Sequence, residues 1–122
     1  MEKIVFIEDE TTLQKMLSAA LEEAGFSVTI ASDGEAGLAA VRAEKPNLVL
    51  LDLILPKMDG FTVLGEMKKN QETAGIPVIV LTNLESAENV EKVVALGATT
   101  YLVKANYDLP DIVLKIKEVL SK

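Results

Sequence analysis

The stretch "LVLLDLILPKMDG", Leu48 to Gly60, decides how this chain is read. Seven aliphatic residues surround one aspartate, Asp52, so a run with the make-up of a buried strand ends on a charge. Burying an unpaired carboxylate is strongly unfavourable, so Asp52 needs partners from elsewhere in the chain. Pro56 and Gly60 close the stretch as turn residues.

Similar apolar runs recur on both sides. "KIVFI" (3–7), "SVTIA" (27–31), "NLVLL" (47–51), "IPVIVL" (76–81) and "TTYLV" (99–103) are short and rich in β-branched residues, as strands are. Helix signals follow each of them. Thr11 with Gln14 and Ser32 with Glu35 read as capping boxes, and Gly25 and Gly97 sit where helices stop. "TTLQKMLSAALEEAG" spaces Leu13, Met16, Leu17, Ala20 and Leu21 as one face packed on a sheet. The last helix is expected to begin at Asp108, with Pro110 in its first turn and Asp111 near its positive end. Strands alternating with helices imply a parallel sheet covered on both faces, and right-handed crossovers favour the doubly wound α/β arrangement. The 122 residues are expected to form a single domain, 1–122.

Composition removes many functions. There is no cysteine and no histidine, which excludes disulfides, thiolate metal sites, thiol catalysis and a histidine general base. No apolar run approaches the ~18–20 residues of a membrane span, and no signal-peptide pattern opens the chain. A cytoplasmic protein with no membrane contact is the expectation. The net charge is −7 with a single arginine, Arg42, so the basic face that neutralises nucleic-acid phosphates is missing and direct nucleic-acid binding is not expected. Acid is concentrated in residues 1–61, with 11 acids against 5 bases.

Ligands of a doubly wound sheet bind beyond the carboxyl ends of its strands. The first run ends in "EDE" (Glu8-Asp9-Glu10), the third in Asp52, the fourth in Thr82-Asn83 and the fifth in Lys104, while the second ends in Ser32-Asp33, read as a helix cap. Carboxylates, a hydroxyl and an ammonium therefore share one edge. Crowded carboxylates raise one another's pKa unless a cation intervenes, and magnesium suits oxygen ligands. A carboxylate can be a nucleophile that forms an acyl phosphate, with lysine and threonine meeting phosphoryl oxygens. Taken singly, each residue reads more plainly. An aspartate at a strand end is usually a cap, "EDE" compensates a helix dipole, and Lys104 alone is a solvated lysine. Their joint placement favours metal-assisted phosphoryl transfer.

"EDE", "LLDLILPKMDG", Thr82 and "YLVK", in this order, resemble the receiver domain of bacterial two-component response regulators. The resemblance covers essentially the whole chain and implies a flavodoxin-like (βα)5 sheet of order 2-1-3-4-5. It implies that Asp52 accepts a phosphoryl group from a histidine kinase or histidine phosphotransfer protein, with Mg2+ as cofactor. Asp9 matches the direct metal ligand, Glu8 the one acting through water, and Ile54 supplies a backbone carbonyl. Thr82 and Lys104 match the residues that contact the phosphoryl group, and Tyr101 matches an aromatic switch that moves with Thr82. The surface of the fourth helix, fifth strand and fifth helix would then bind a downstream protein partner. Such a chain catalyses its own phosphorylation and dephosphorylation rather than turning over a substrate.

Three features depart from the family pattern. Glu8 replaces the commoner aspartate and keeps the charge. Ala105 replaces the proline that usually follows the lysine, so the Lys104–Ala105 bond is either trans with a reshaped turn or a costly cis bond. Asn83 replaces a small residue, narrowing access or donating a hydrogen bond. Ile54 and Leu84 occupy positions that tune hydrolysis, and as aliphatics they cannot orient water, so slow decay of the phosphoryl group is expected. Three alternatives remain at this level. They are a receiver-like interaction module acting without phosphorylation, a flavodoxin-like nucleotide protein, and an aspartate-nucleophile phosphatase. The second lacks a glycine-rich phosphate loop, and the third lacks a second acid near "DLILP".

Overall fold

A computed structural model describes residues 1–122. Its elements are β1 (Lys3–Ile7), α1 (Thr11–Glu23), β2 (Ser27–Ala31), α2 (Gly34–Glu44), β3 (Leu48–Leu51), α3 (Gly60–Lys69), β4 (Val78–Thr82), α4 (Ala87–Ala95), β5 (Thr100–Val103) and α5 (Leu109–Leu120). A single helical turn, Gln71–Ala74, follows α3, and a 3₁₀ turn, Lys104–Asn106, follows β5. All strand pairs are parallel and the order is β2-β1-β3-β4-β5. This is the doubly wound sheet anticipated from the strand runs, in the flavodoxin-like order that the family resemblance implies.

Side chains alternate across the strands and divide the core in two. Val5, Ile7, Val49, Leu51, Val78 and Val80 point to the face covered by α2, α3 and α4. Ile4, Phe6, Leu48, Leu50, Ile79, Leu81 and Leu102 point to the face covered by α1 and α5. The three central strands are buried on both faces, which is why they read as unbroken aliphatic runs. No helix is long and apolar enough to cross a membrane.

Local details differ from the expected pattern in several places. β4 starts at Val78 rather than Ile76 and extends through Thr82, because Pro77 has no N–H for the ladder and contributes only its carbonyl, to Val49 N–H at 3.0 Å. Neither expected capping box forms. Glu10 is the N-cap of α1 and makes no side-chain cap bond. Gln14 instead donates from Nε2 to the Glu8 carbonyl and to Ser32 Oγ, the latter at 3.0 Å. With Ser32 engaged there, Asp33 caps α2 and accepts from Ala36 N–H at 2.7 Å. Met16 is 54% exposed, since α1 meets the sheet through Leu17 and Leu21 and the preceding residue points about 100° away. Ser18 is buried in its place and returns its hydroxyl to the Gln14 carbonyl.

The end of the chain follows expectation. Asp108 caps α5 in a reciprocal pair with Asp111, and Pro110 lies in the first turn. Gly25 and Gly97 take φ of 99° and 100°, the left-handed conformation that ends α1 and α4. No peptide bond is cis. The chain therefore leaves Lys104 through a trans bond and a 3₁₀ turn, the first of the two outcomes left open by Ala105.

Candidate functional site

The carboxyl ends of β1, β3, β4 and β5 converge on one edge of the sheet. Glu8 follows β1 directly and is fully buried, while Asp9 is exposed. Asp52 follows β3 and is only 5% exposed. Its backbone N–H donates to the Ile7 carbonyl at 3.0 Å, which carries the β1–β3 ladder one step beyond the strands. Glu8, Asp9 and Asp52 bring carboxylate oxygens within 4.8 Å of one another.

Lys104 reaches this cluster from the 3₁₀ turn. Its Nζ lies 2.7 Å from Glu8 Oε1 and 2.9 Å from Asp52 Oδ2. Lys104 is thus the one partner of the buried Glu8 Oε1. The other Glu8 oxygen accepts from Glu10 N–H at 3.0 Å. Asp52 Oδ1 accepts from Leu53 N–H at 2.7 Å and Ile54 N–H at 3.3 Å, which fixes the plane of the carboxylate. Burial pushes the Glu8 carboxyl above the usual range, and Asp52's charge adds to this, while Lys104 and the Glu10 amide oppose it. Burial alone would lower the Lys104 ammonium, yet its contacts with Glu8 and Asp52 outweigh burial and raise it.

Thr82 ends β4 and is fully buried, with its Oγ1 accepting from Leu84 N–H at 3.5 Å. Tyr101, half-buried on β5, donates its hydroxyl to the Leu84 carbonyl at 2.7 Å. The segment after β4 is thereby tied both to Thr82 and to β5. Ile54 holds its side chain 60% exposed, Leu84 is half-buried, and Asn83 is exposed.

Charge balance tests whether a cation fits. Three carboxylates face one ammonium, which leaves two negative charges uncompensated, the charge of one divalent ion. Two of the three carboxylates, those of Glu8 and Asp52, are buried, where uncompensated charge is costly. An all-oxygen donor set with open sides suits a hard cation that keeps part of its water. The residues present fit such an ion.

Some contributors were not visible in the sequence. Gly60 reads as a turn residue, yet it opens α3, and a Cβ there would overlap the Asp52 carbonyl oxygen and stand 2.6 Å from Leu53 Cα. Gln14 reads locally as half of a cap, yet its amide joins the end of β1 to the segment after β2. Both depend on contacts between remote segments, so no local signal marks them.

Comparison with known proteins agrees with this geometry. Residues 4–117 match the family model described as the response regulator receiver domain. The DNA-binding dual master transcriptional regulator RpaA of Synechocystis sp. is 35% identical over 122 residues, all of this chain and 50% of that protein. The chain spans about half the length of the curated relatives it matches. A CheY-like response regulator receiver domain protein from Methanospirillum hungatei superposes with a TM-score of 0.92 at 32% identity, over 99% of this chain and 94% of that one. The BeF3-activated N-terminal receiver domain of Klebsiella pneumoniae RstA superposes with a TM-score of 0.89 at 28% identity, over 98% and 99%. Sheet order, acidic cluster and family match point the same way: this chain belongs to the response regulator receiver domain family.

Proposed function

We propose that Asp52 is the phosphoacceptor of a two-component signalling receiver, and that a histidine kinase or histidine phosphotransfer protein is its donor. The observation that carries this reading is the joint hold on one carboxylate. Asp52 Oδ1 is oriented by two backbone N–H groups, while Oδ2 faces the Lys104 ammonium at 2.9 Å. A carboxylate held this way attacks the phosphorus of a phosphohistidine. A P–O bond to Asp52 forms, the P–N bond breaks, and the imidazole leaves with its electron pair. Lys104 then neutralises one phosphoryl oxygen, and Thr82 offers its hydroxyl to another.

Glu8, Asp9, Asp52 and the Ile54 carbonyl would hold Mg2+. When bound, the ion offsets negative charge on the carboxylates and the incoming phosphoryl group. Thr82 moving inward alters the setting of Leu84 and Tyr101, and with it the α4-β5-α5 surface that a downstream protein reads. The relative of this fold whose name specifies a BeF3-activated receiver domain supports switching by a phosphoryl-like group. Intact mass after incubation with a small acyl phosphate, with and without Mg2+, tests the proposal. A gain of one phosphoryl group that requires Mg2+ is expected; absence of any gain under rapid acid quench contradicts it.

A further inference from the structure

We propose that Gly34, the first residue of α2, is a positioning residue for the phosphoacceptor, because it seats α2 directly on the loop that follows Asp52. The proposal rests on the reading of Asp52 given above. Residues 53–59 link β3 to α3 outside any strand or helix and carry the Ile54 carbonyl. At one end this loop is tied to α3, where Gly60 N–H donates to the Leu53 carbonyl at 2.9 Å. Its middle closes on itself, with Met58 N–H donating to the Pro56 carbonyl at 2.8 Å and Lys57 at φ 68°. Asp59 adds bonds from Thr62 N–H and Val63 N–H at the α3 end, and further ties come from the start of α2. Gly34 N–H donates to the same Pro56 carbonyl at 3.3 Å, and Asp33 pairs with Lys57 at 3.8 Å.

The ion pair is long and Lys57 is 63% exposed, so it contributes little. The steric contact decides. A Cβ at Gly34 would overlap the Met58 carbonyl oxygen and lie 2.6 Å from its carbonyl carbon and 2.8 Å from its Cβ. Backbone cannot rotate away as a side-chain tip does, so any side chain at position 34 must push residues 56–58 off α2. Pro56 has a fixed φ and Lys57 already occupies the left-handed region, so this segment has little slack. The displacement passes to Leu55 and Ile54, and so to the two N–H groups that orient Asp52. Gly34 touches neither metal nor phosphoryl group; it acts through the loop.

Gly34→Ala, with Gly65→Ala as control, tests this. Gly65 lies within α3, and a Cβ there meets nothing within 4 Å. Three readouts are compared in the full chain: the amide NMR positions of Leu53 and Ile54, Mg2+ affinity by calorimetry, and the rate of phosphoryl gain from a small acyl phosphate. A folded Gly34→Ala variant should shift both amides, weaken Mg2+ by at least ~10-fold and slow phosphoryl gain, with Gly65→Ala matching the wild type. Unchanged amides, affinity and rate in folded Gly34→Ala would overturn the proposal. If Gly34→Ala does not fold, Met58→Gly loosens the same seam from the other side, and wild-type amide positions and Mg2+ affinity in that variant would overturn it equally. A wild-type chain that gains no phosphoryl group sinks the Asp52 reading alone, while the amide and Mg2+ comparisons still judge the seam.

Discussion

Lys104 is the single cation among buried acids, with its side chain 16% exposed and those of Glu8 and Asp52 1% and 6% exposed. Removing it leaves two buried carboxylates facing one another across the gap. Lys104→Met should therefore destabilise the Mg2+-free protein by about 3 kcal/mol, because stripping the counter-ion from a buried pair costs far more than losing a surface ion pair. Urea denaturation measures this directly, and a loss under ~0.5 kcal/mol contradicts the electrostatic account of the site. The acids and the lysine could be identified in the sequence because each stands at the end of an apolar run, where a charge is conspicuous. Gly34 and Gly60 could not, since their role is to have no Cβ where another segment's backbone passes. A glycine beside Asp33 or Asp59 reads as a turn residue until those neighbouring segments are placed.

Among the elements, β5 and the segment after β4 share the bond from the Tyr101 hydroxyl to the Leu84 carbonyl. Burial, and then the charge of Asp52, raise the Tyr101 phenol above its ordinary value of 10.0. The neutral phenol is thus the form the fold prefers. Its stabilisation is complete below pH 10.0 and is lost as pH rises through the elevated folded value. Replacing the other tyrosine, Tyr107→Phe, leaves one tyrosinate signal in near-ultraviolet absorbance. Its midpoint should lie above 10.0 and move down when Asp52→Asn removes the neighbouring charge; a midpoint at or below 10.0 would contradict the burial of the phenol beside Asp52. The strands were easy to place because the central ones are buried on both faces and leave continuous aliphatic runs. Caps were harder. Asp33 and Ser32 are both capping residues, and only the Gln14 bond across to Ser32 decides which of them caps α2.

Across the whole molecule, the acidic edge sits at one end of a sheet whose two cores are complete without it. Stability and cation affinity are therefore linked but separable. Mg2+ at about 100 times its Kd should add about 2.7 kcal/mol, which for 122 residues raises Tm by roughly 10 °C. Chelation should reverse the shift and Asp9→Asn should abolish most of it; an equal shift in Asp9→Asn would place the ion elsewhere. The doubly wound class was legible because short strands alternate with helices and parallel crossovers have one hand, while the order 2-1-3-4-5 is what the family resemblance implies. The turn after Lys104 was not, because Ala105 permits both bond geometries in principle and only the path of the 3₁₀ turn selects trans. In the proposed chemistry one carboxylate of the three, that of Asp52, takes the phosphoryl group. Borohydride reduction of the phosphorylated chain, followed by peptide mapping, reads this directly, since an acyl phosphate on aspartate is reduced to homoserine. Homoserine at position 52 alone is the predicted result; reduction at position 8 or 9, or a stable phosphoryl group that resists reduction, would contradict it.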